Sequence, residues 1–221
     1  DFFKGAPKNN YGRFVIYVSL INFATSFASP FFAVYMLKEL GFSYVWYTLV
    51  VLSSAIFTIW SMPLCGKIGD KYGNRQLLKI GSIIIPFAPL FWLFSGNAIY
   101  LIFTAQLAAG IGWAAFNFAS SNFIYDAVTP SRRAICVAYF NMINGIGIFV
   151  GAIIGGFFAQ YVHVSWMNTF LLIFLISAIA RALISLIFLR KIKEVRKVTH
   201  HNISIFTYLH YLMPKPFYGM F

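Results

Sequence analysis

Six apolar stretches, each long enough to cross a lipid bilayer as a helix, constrain this chain more than any other feature of its sequence. A helix needs about 20 apolar residues to cross roughly 30 Å of hydrocarbon. Pro30 lies in the first stretch, and Pro86 and Pro89 lie in the third, so we expect kinks whose freed carbonyls are satisfied by neighbouring helices. The pattern predicts an all-α polytopic membrane protein, with six transmembrane helices over residues 14–37, 44–64, 77–94, 98–124, 135–161 and 166–189.

The composition excludes a soluble protein. Hydrophobic residues make up 60% of the 221 residues and charged residues only 10%, whereas soluble domains carry about 25% charged residues. The mean hydropathy is +0.77. Cys65 and Cys136 are too few for a disulfide framework, and we expect both to be reduced packing residues.

The basic residues are distributed very unevenly around the six stretches. Apart from Lys38 and Arg181, every Lys and Arg lies beside a stretch end that faces one side of the membrane. Because positive loops stay in the cytoplasm, we predict that both termini are cytoplasmic, in the cell (inner or plasma) membrane. Residues 1–13 are then a cytoplasmic lead-in, and residues 190–221 a basic, amphipathic tail on the membrane surface. The net charge of +12 is thus a topology signal, and no nucleic-acid partner is expected.

The segment GKIGDKYGNR, residues 66–75, separates the second and third stretches and is the most specific motif in the chain. Its glycines allow a tight turn, and the Asp70 carboxylate is able to accept hydrogen bonds from a nearby helix N-terminus. On physical grounds alone, an ordinary solvated loop fits equally well. The segment resembles the loop signature of the major facilitator superfamily, G-x-x-x-D-(R/K)-x-G-x-(R/K), with its defining positions at Gly66, Asp70, Lys71, Gly73 and Arg75.

The resemblance implies a conformational role for this loop. In the superfamily the loop joins the second and third helices of a six-helix half-bundle and helps to latch the cytoplasmic face in one conformation. Asp126, Arg132 and Arg133, in the next cytoplasmic loop, look like the partners of that latch. Simple anchoring by positive charge explains either arginine equally well.

Glycines recur along one face of the fifth stretch, at Gly147, Gly151 and Gly155, with Gly156 next to them. A smooth glycine face allows close approach of another helix, so we predict a packing role for all four. The pattern resembles the superfamily motif G-x-x-x-G-P-x-x-G-G, with Ala152 where the motif has proline. That motif is associated with antiporters, and the departure leaves antiport open.

Polar residues follow single faces of the first and fourth stretches, which the resemblance implies line the central cavity. Amides in hydrocarbon are costly unless they find partners, so these residues should point into the bundle or a wet cavity. Hydrogen bonding between helices is the alternative for each. The candidates for a substrate cavity are Asn22, Ser26, Ser29, Gln106, Trp113, Asn117 and Ser121, with Asn141 and Asn144 near the start of the fifth stretch.

Arg181 is the only ionisable side chain well inside a stretch, and it completes the cavity candidates. A structural bond to backbone carbonyls or snorkelling competes with a role at the substrate or gate. No Asp or Glu lies within a stretch, so we expect no proton carrier in this half. The histidines, His163, His200, His201 and His210, have no companion ligands at metal-binding spacing, so no metal or cofactor is expected.

Together these features predict a secondary active transporter that moves a small solute by alternating access, with this chain as one half. The chain begins with Asp1, and the stretches around Pro30 and Asn117 look most like the second half of bacterial or archaeal members, so we expect the C-terminal half. The expected partners are the lipid bilayer and either a missing N-terminal half or a second copy. A non-transporting scaffold or subunit is the alternative, and an enzyme is not expected because no catalytic cluster lies at membrane depth.

Overall fold

The computed structural model describes residues 9–162 and 164–196, and these residues form helices and no strands. Five helical runs are long and apolar enough to cross a membrane: Asn10–Glu39, Tyr44–Tyr72, Ala98–Ala127, Pro130–Tyr161 and Thr169–Lys191. The α-helices within the bundle are α1 (Asn10–Ser26), α2 (Ser29–Val34), α3 (Tyr44–Tyr72), α4 (Asn74–Ile84), α5 (Phe87–Phe91), α6 (Ala98–Leu101), α7 (Leu107–Ala127), α8 (Arg133–Tyr161) and α9 (Thr169–Phe188). The prediction of an all-α polytopic membrane protein is confirmed.

The first span is broken where the sequence predicts a kink. The Asn9 side chain caps α1 by accepting a hydrogen bond from the Gly12 N–H at 2.6 Å. Pro30 has no N–H to donate, and the chain leaves the regular helix at Phe27 and Ala28 before α2 begins. A π-helical turn, Tyr35–Glu39, ends the span.

The third predicted span is the one missing from these five runs, because neither of its two helical pieces is long enough to cross a membrane. It consists of α4 and the short α5, separated at Ile85 and Pro86. Pro86 and Pro89 both lack the N–H that would continue the helical hydrogen bonds, which explains the break. The six-helix prediction therefore corresponds to five long runs and one span in two pieces.

Close backbone contact joins α3, α4 and α7 into one layer. A Cβ added to Gly110 of α7 would lie 2.7 Å from the Ser54 carbonyl oxygen of α3. A Cβ on Gly81 of α4 would lie 2.8 Å from the Gly112 carbonyl oxygen and 2.7 Å from the Phe116 nitrogen, both on α7. Glycine is therefore needed at these crossings so that the backbones can touch.

Two apolar clusters fill the bundle, one towards each end. In the first, the Phe14 and Phe123 rings stack with centroids 4.4 Å apart. In the second, Phe32 and Phe174 stack at 4.1 Å beside Trp92. These contacts hold α1 and α2 against α7 and α9, the helices that carry most of the polar groups described below.

The cations define one end of the bundle. Apart from Lys38 and Arg181, every Lys and Arg among the described residues lies near the end that carries the start of α1, the end of α3 and the end of α9. We call this the basic end. At the other end, the Asn168 side chain donates to Glu39 at 2.9 Å.

The second and fifth spans are poorly covered by the rest of the chain. In the most apolar window of the fifth span only 11% of residues are buried, and in the second only 22%, against 56% in the first. α8 packs along α1, and α3 packs along α7. Large apolar surfaces therefore lie on either side of the first and fourth spans without a partner from the described chain.

Candidate functional site

Asn22 and Asn144, both predicted cavity residues, meet between α1 and α8. The Asn22 side-chain amide donates to the Asn144 side-chain oxygen at 2.8 Å, and both residues are half-buried. One turn away, the Ser19 hydroxyl donates to the Ile143 carbonyl at 2.9 Å. This pair fits the alternative that these amides serve hydrogen bonding between helices, although both residues remain partly exposed.

The other predicted cavity residues differ in their exposure. Asn117 and Ser121 are exposed on α7, Trp113 and Gln106 are half-buried, and the Trp113 ring packs edge-on against Phe116 with centroids 5.5 Å apart. Ser29 and Asn141 are exposed and Ser26 is buried. Gln106 ends a π-helical turn, Ile102–Gln106, a feature common at functional sites. The exposed amide and hydroxyl of α7 give this side of the bundle a polar surface at membrane depth.

Three of the four glycines predicted for packing make a continuous contact with α1. A Cβ on Gly147 would lie 2.8 Å from the Ser19 carbonyl oxygen, one on Gly151 would lie 2.3 Å from that of Phe23, and one on Gly155 would lie 2.2 Å from that of Phe27. The two backbones thus touch over at least two helical turns. The predicted packing role of Gly156 is wrong within the described bundle, because a Cβ at this position would meet nothing within 4 Å.

The motif of residues 66–75 is largely helical, which differs from the predicted loop. α3 continues through Gly66 and Asp70 to Tyr72, and α4 begins at Asn74. Gly73 alone makes the turn, with φ of +88°, a conformation that favours glycine. The motif therefore fixes two helices in a sharp corner at the basic end.

The carboxylate that meets a helix N-terminus is Glu194 rather than Asp70. The Arg75 backbone N–H, in the first turn of α4, donates to Glu194 Oε2 at 2.7 Å. The Arg75 Nε donates to the Ile192 carbonyl at 2.6 Å. Asp70 instead pairs with Arg196, with Oδ1 and Nη1 2.9 Å apart, and both side chains are exposed. The motif is thus tied to the segment that follows α9.

The predicted latch partners in the next loop contact the motif through one residue. The Asn74 side chain donates to Asp126 Oδ2 at 2.6 Å. Arg133 turns to Tyr125, donating to its carbonyl at 3.2 Å and lying 5.1 Å from its ring centroid. Arg132 is exposed. Neither arginine lies against Asp70, whose ion-pair partner is Arg196.

Polar side chains of α9 approach backbone carbonyls at the breaks in the neighbouring helices. The Ile85 carbonyl also accepts from the Ala88 N–H at 3.3 Å. Pro86 and Pro89 lack N–H groups, so the Ser82 and Ile85 carbonyls lose their usual helical donors. The Ser185 hydroxyl approaches the Ser82 carbonyl at 3.4 Å, and Arg181 Nη1 approaches the Ile85 carbonyl at 3.5 Å. The Arg181 side chain is buried and its Nε has no partner.

The same face of α9 also meets the break in the first span. The Ser177 hydroxyl donates to the Ala24 carbonyl at 2.5 Å, because the Ala28 N–H has turned to Thr25 instead. Tyr17 adds its hydroxyl to the cluster, bonding to Ser82 and lying 3.4 Å from the Ser185 hydroxyl. One face of α9 therefore carries a polar stripe, Ser177, Arg181 and Ser185, whose side chains contact backbone carbonyls of the neighbouring helices.

Some predicted features lie outside the described residues. These are His163, His200, His201 and His210, residues 1–8 of the lead-in, and residues 197–221 of the tail. Cys65 is buried and Cys136 is half-buried, and neither forms a disulfide bond.

A comparison with protein families places this helical arrangement. The model of the Major Facilitator Superfamily matches residues 14–220. The chain belongs to the Major Facilitator Superfamily. The relatives that match this chain are named as transporters.

Individual superfamily members match the chain at modest identity. Vacuolar basic amino acid transporter 2 of Saccharomyces cerevisiae is 28% identical over 144 residues, covering 65% of this chain and 29% of the relative. The riboflavin transporter RibZ of Clostridioides difficile is 24% identical over 154 residues, 70% of this chain and 31% of the relative. An uncharacterized transporter of Schizosaccharomyces pombe is 31% identical over 121 residues, 54% of this chain and 23% of the relative. The matched part of the chain spans less than a third of each of these superfamily members.

Sequence reasoning missed several residues that build this superfamily bundle. Glu194 and Arg196 were predicted only as part of a basic tail, although they hold the loop motif. Ser177 and Ser185 share one face with Arg181, and that spacing is visible in the sequence. Ser82 and Ile85, four residues before Pro86 and Pro89, carry the carbonyls that Ser185 and Arg181 approach, and these positions are visible in the sequence.

Proposed function

We propose that this chain is one six-helix half of a secondary transporter that moves a small solute by alternating access. The observation that carries the proposal is the set of polar side chains on the first, fourth and fifth spans, where Asn22, Asn117 and Asn144 keep exposed area at membrane depth. Polar side chains exposed to lipid alone would be costly, so a wet cavity on this side accounts for them. Superfamily membership supports the same function.

The second half is the partner that this surface requires. The uncovered apolar faces of the second and fifth spans lie beside the polar surface and would be buried by another bundle. The relatives are more than three times as long as their matched regions, which supports an N-terminal half in the same polypeptide. A second copy of the chain would fill the same place by symmetry.

Transport by the native-length polypeptide in proteoliposomes tests the function. The relatives are named for basic amino acids and riboflavin, so radiolabelled lysine and riboflavin are the first probes. We expect uptake of at least one probe, and Asn117→Ala should lower its initial rate because an exposed cavity amide is lost. Leu183→Ala, on an exposed apolar face of α9, is the matched control and should not change the rate.

A scaffold function predicts a different outcome. Absence of flux for a broad panel of labelled amino acids, vitamins and drugs, with the protein folded and its second half present, would favour the non-transporting alternative. Equal loss of flux in Asn117→Ala and Leu183→Ala would show that the polar surface does not lie on the transport path.

We also infer that the basic end faces the cytoplasm and that the protein resides in the cell membrane. The uneven distribution of cations supports this orientation. In a Cys136→Ser background, Ser165→Cys should react with an impermeant maleimide in intact cells and Ser131→Cys should react only after permeabilisation. The reverse pattern would invert the topology, and labelling of neither site in intact cells would favour an internal membrane.

A further inference from the structure

A groove of about 560 Å³ lies between the third span and α9. Its rim includes the exposed side chains of Phe87, Ile179 and Leu186, so it opens where lipid surrounds the protein. On one wall the break in the third span leaves room, and on the other the small side chains of Ala178 and Ala182 in α9 leave room. The walls are mainly apolar, and include Ile83, Pro86, Leu90, Ala178, Ala182 and Leu186.

Cations line the same groove at the basic end. Arg75 and Lys79 come from α4, and Arg190 comes from the turn that follows α9. Lys79 and Arg190 are exposed, and the one ion pair among the described residues, Asp70 with Arg196, uses neither. Arg75 is held in place by its bond to the Ile192 carbonyl at 2.6 Å. The nearby Glu194 carboxylate accepts hydrogen bonds from three backbone N–H groups. Because it contributes one negative charge against three cations, the mouth of the groove keeps an excess of positive charge.

The dimensions suit a lipid chain. The lining runs from Arg75 to Leu90, about 20 Å along a helix at 1.5 Å per residue. One leaflet contributes about 15 Å of hydrocarbon to the bilayer core. An acyl chain lying against the apolar walls would therefore place its headgroup at the cations.

We propose that this groove is a binding site for an anionic phospholipid, with its phosphate held by Arg75, Lys79 and Arg190 and one acyl chain along the apolar walls. Charged hydrogen bonds from arginine and lysine are the strong ones available to a phosphate. Basic pockets between membrane helices recognise anionic headgroups for this reason. The acyl chain of a zwitterionic lipid would pack against the apolar walls equally well, but the three cations would attract its headgroup less strongly.

Native mass spectrometry of the delipidated, native-length protein tests this site. The probe is an equimolar mixture of phosphatidylglycerol and phosphatidylcholine with identical acyl chains. The wild type should retain phosphatidylglycerol preferentially, and Lys79→Gln with Arg190→Gln should weaken its binding by roughly thirtyfold, since each cation near a membrane surface contributes to the attraction. Lys67→Gln with Lys193→Gln removes the same charge from the same end outside the groove and should leave the preference unchanged.

A second variant separates a lipid from a free phosphate. Ala182→Phe fills the apolar part of the groove and leaves the cations in place, so it should abolish preferential retention of phosphatidylglycerol. Inorganic phosphate should not compete with the lipid. Full competition by phosphate with no effect of Ala182→Phe would overturn the lipid site, as would equal losses in the groove and control variants. Thermal unfolding in phosphatidylcholine micelles checks that each variant is folded. If Ala182→Phe does not fold, the lipid preference of Lys79→Gln with Arg190→Gln decides whether the groove binds an anionic lipid.

Discussion

At the scale of single residues, the polar stripe of α9 shows how buried polar groups are used in this bundle. Ser177 is fully buried and donates at 2.5 Å to a carbonyl that has no helical donor. Arg181 is buried too, yet its contact with Ile85 is 3.5 Å and its Nε has no partner. A hydroxyl in this stripe is well compensated, whereas the guanidinium is compensated only in part.

This difference predicts opposite effects on stability. Ser177→Ala should lower the free energy of unfolding by about 1–3 kcal/mol, because the Ala24 carbonyl stays buried without a donor. Arg181→Met, which keeps much of the volume and removes the charge, should leave the melting temperature unchanged or raise it. Thermal unfolding in detergent measures both. If Arg181→Met lowered the melting temperature as much as Ser177→Ala, the guanidinium would instead stabilise the bundle.

At the scale of helices, the contact between α1 and α8 depends on the absence of side chains. Gly151 and Gly155 lie so close to Phe23 and Phe27 that a Cβ would stand 2.2–2.3 Å from a backbone oxygen. A backbone atom has no other rotamer to adopt, so the helices themselves must separate. The Asn22–Asn144 bond lies along the same contact and would be stretched with it.

Two alanine substitutions on α8 isolate this effect. Gly151→Ala and Gly156→Ala gain the same intrinsic helix propensity, about 1 kcal/mol. Gly151→Ala should nevertheless be destabilising, since overpacking costs about 1–3 kcal/mol, whereas Gly156→Ala should be neutral or stabilising. The shift in melting temperature of each variant measures the difference. Equal shifts would show that α1 and α8 do not touch along this ridge.

At the scale of the whole molecule, the basic end joins three parts of the chain. α3 and α4 meet at Gly73, Asn74 bonds to Asp126 at the end of α7, and residues 192–196 return to Arg75 and Asp70. The Asp70 side chain is 74% exposed and that of Arg196 43%. An exposed ion pair of this kind contributes between about 0 and 1 kcal/mol to stability. A weak pair of this kind would suit a reversible latch in the proposed carrier.

Asp70→Asn should therefore separate stability from transport. The melting temperature should change little, because the pair is exposed and screened by salt. If the chain transports lysine or riboflavin as proposed, the initial rate should fall, since one conformation loses its tie. Lys67→Gln, a nearby exposed charge, should change neither quantity. A large drop in melting temperature for Asp70→Asn would make the pair structural instead.

The class of fold and much of the glycine packing follow from the amino-acid pattern alone. Six apolar stretches and so little charge leave only a helical membrane bundle, because backbone groups in hydrocarbon must be satisfied within the segment. The spacing of Gly147, Gly151 and Gly155 similarly identified one packing face. Both inferences depend on local periodicity, which a sequence displays directly.

The partner of each polar group, in contrast, is defined by the way the helices pack. The sequence could not show that Glu194, rather than Asp70, meets α4, or that Ser177 and Ser185 serve carbonyls more than a hundred residues away. It also could not show that Gly156 faces open space while Gly155 touches α1. The physical reason is that a side chain's partner depends on which helix packs beside it and at what rotation, and these are properties of the assembled bundle.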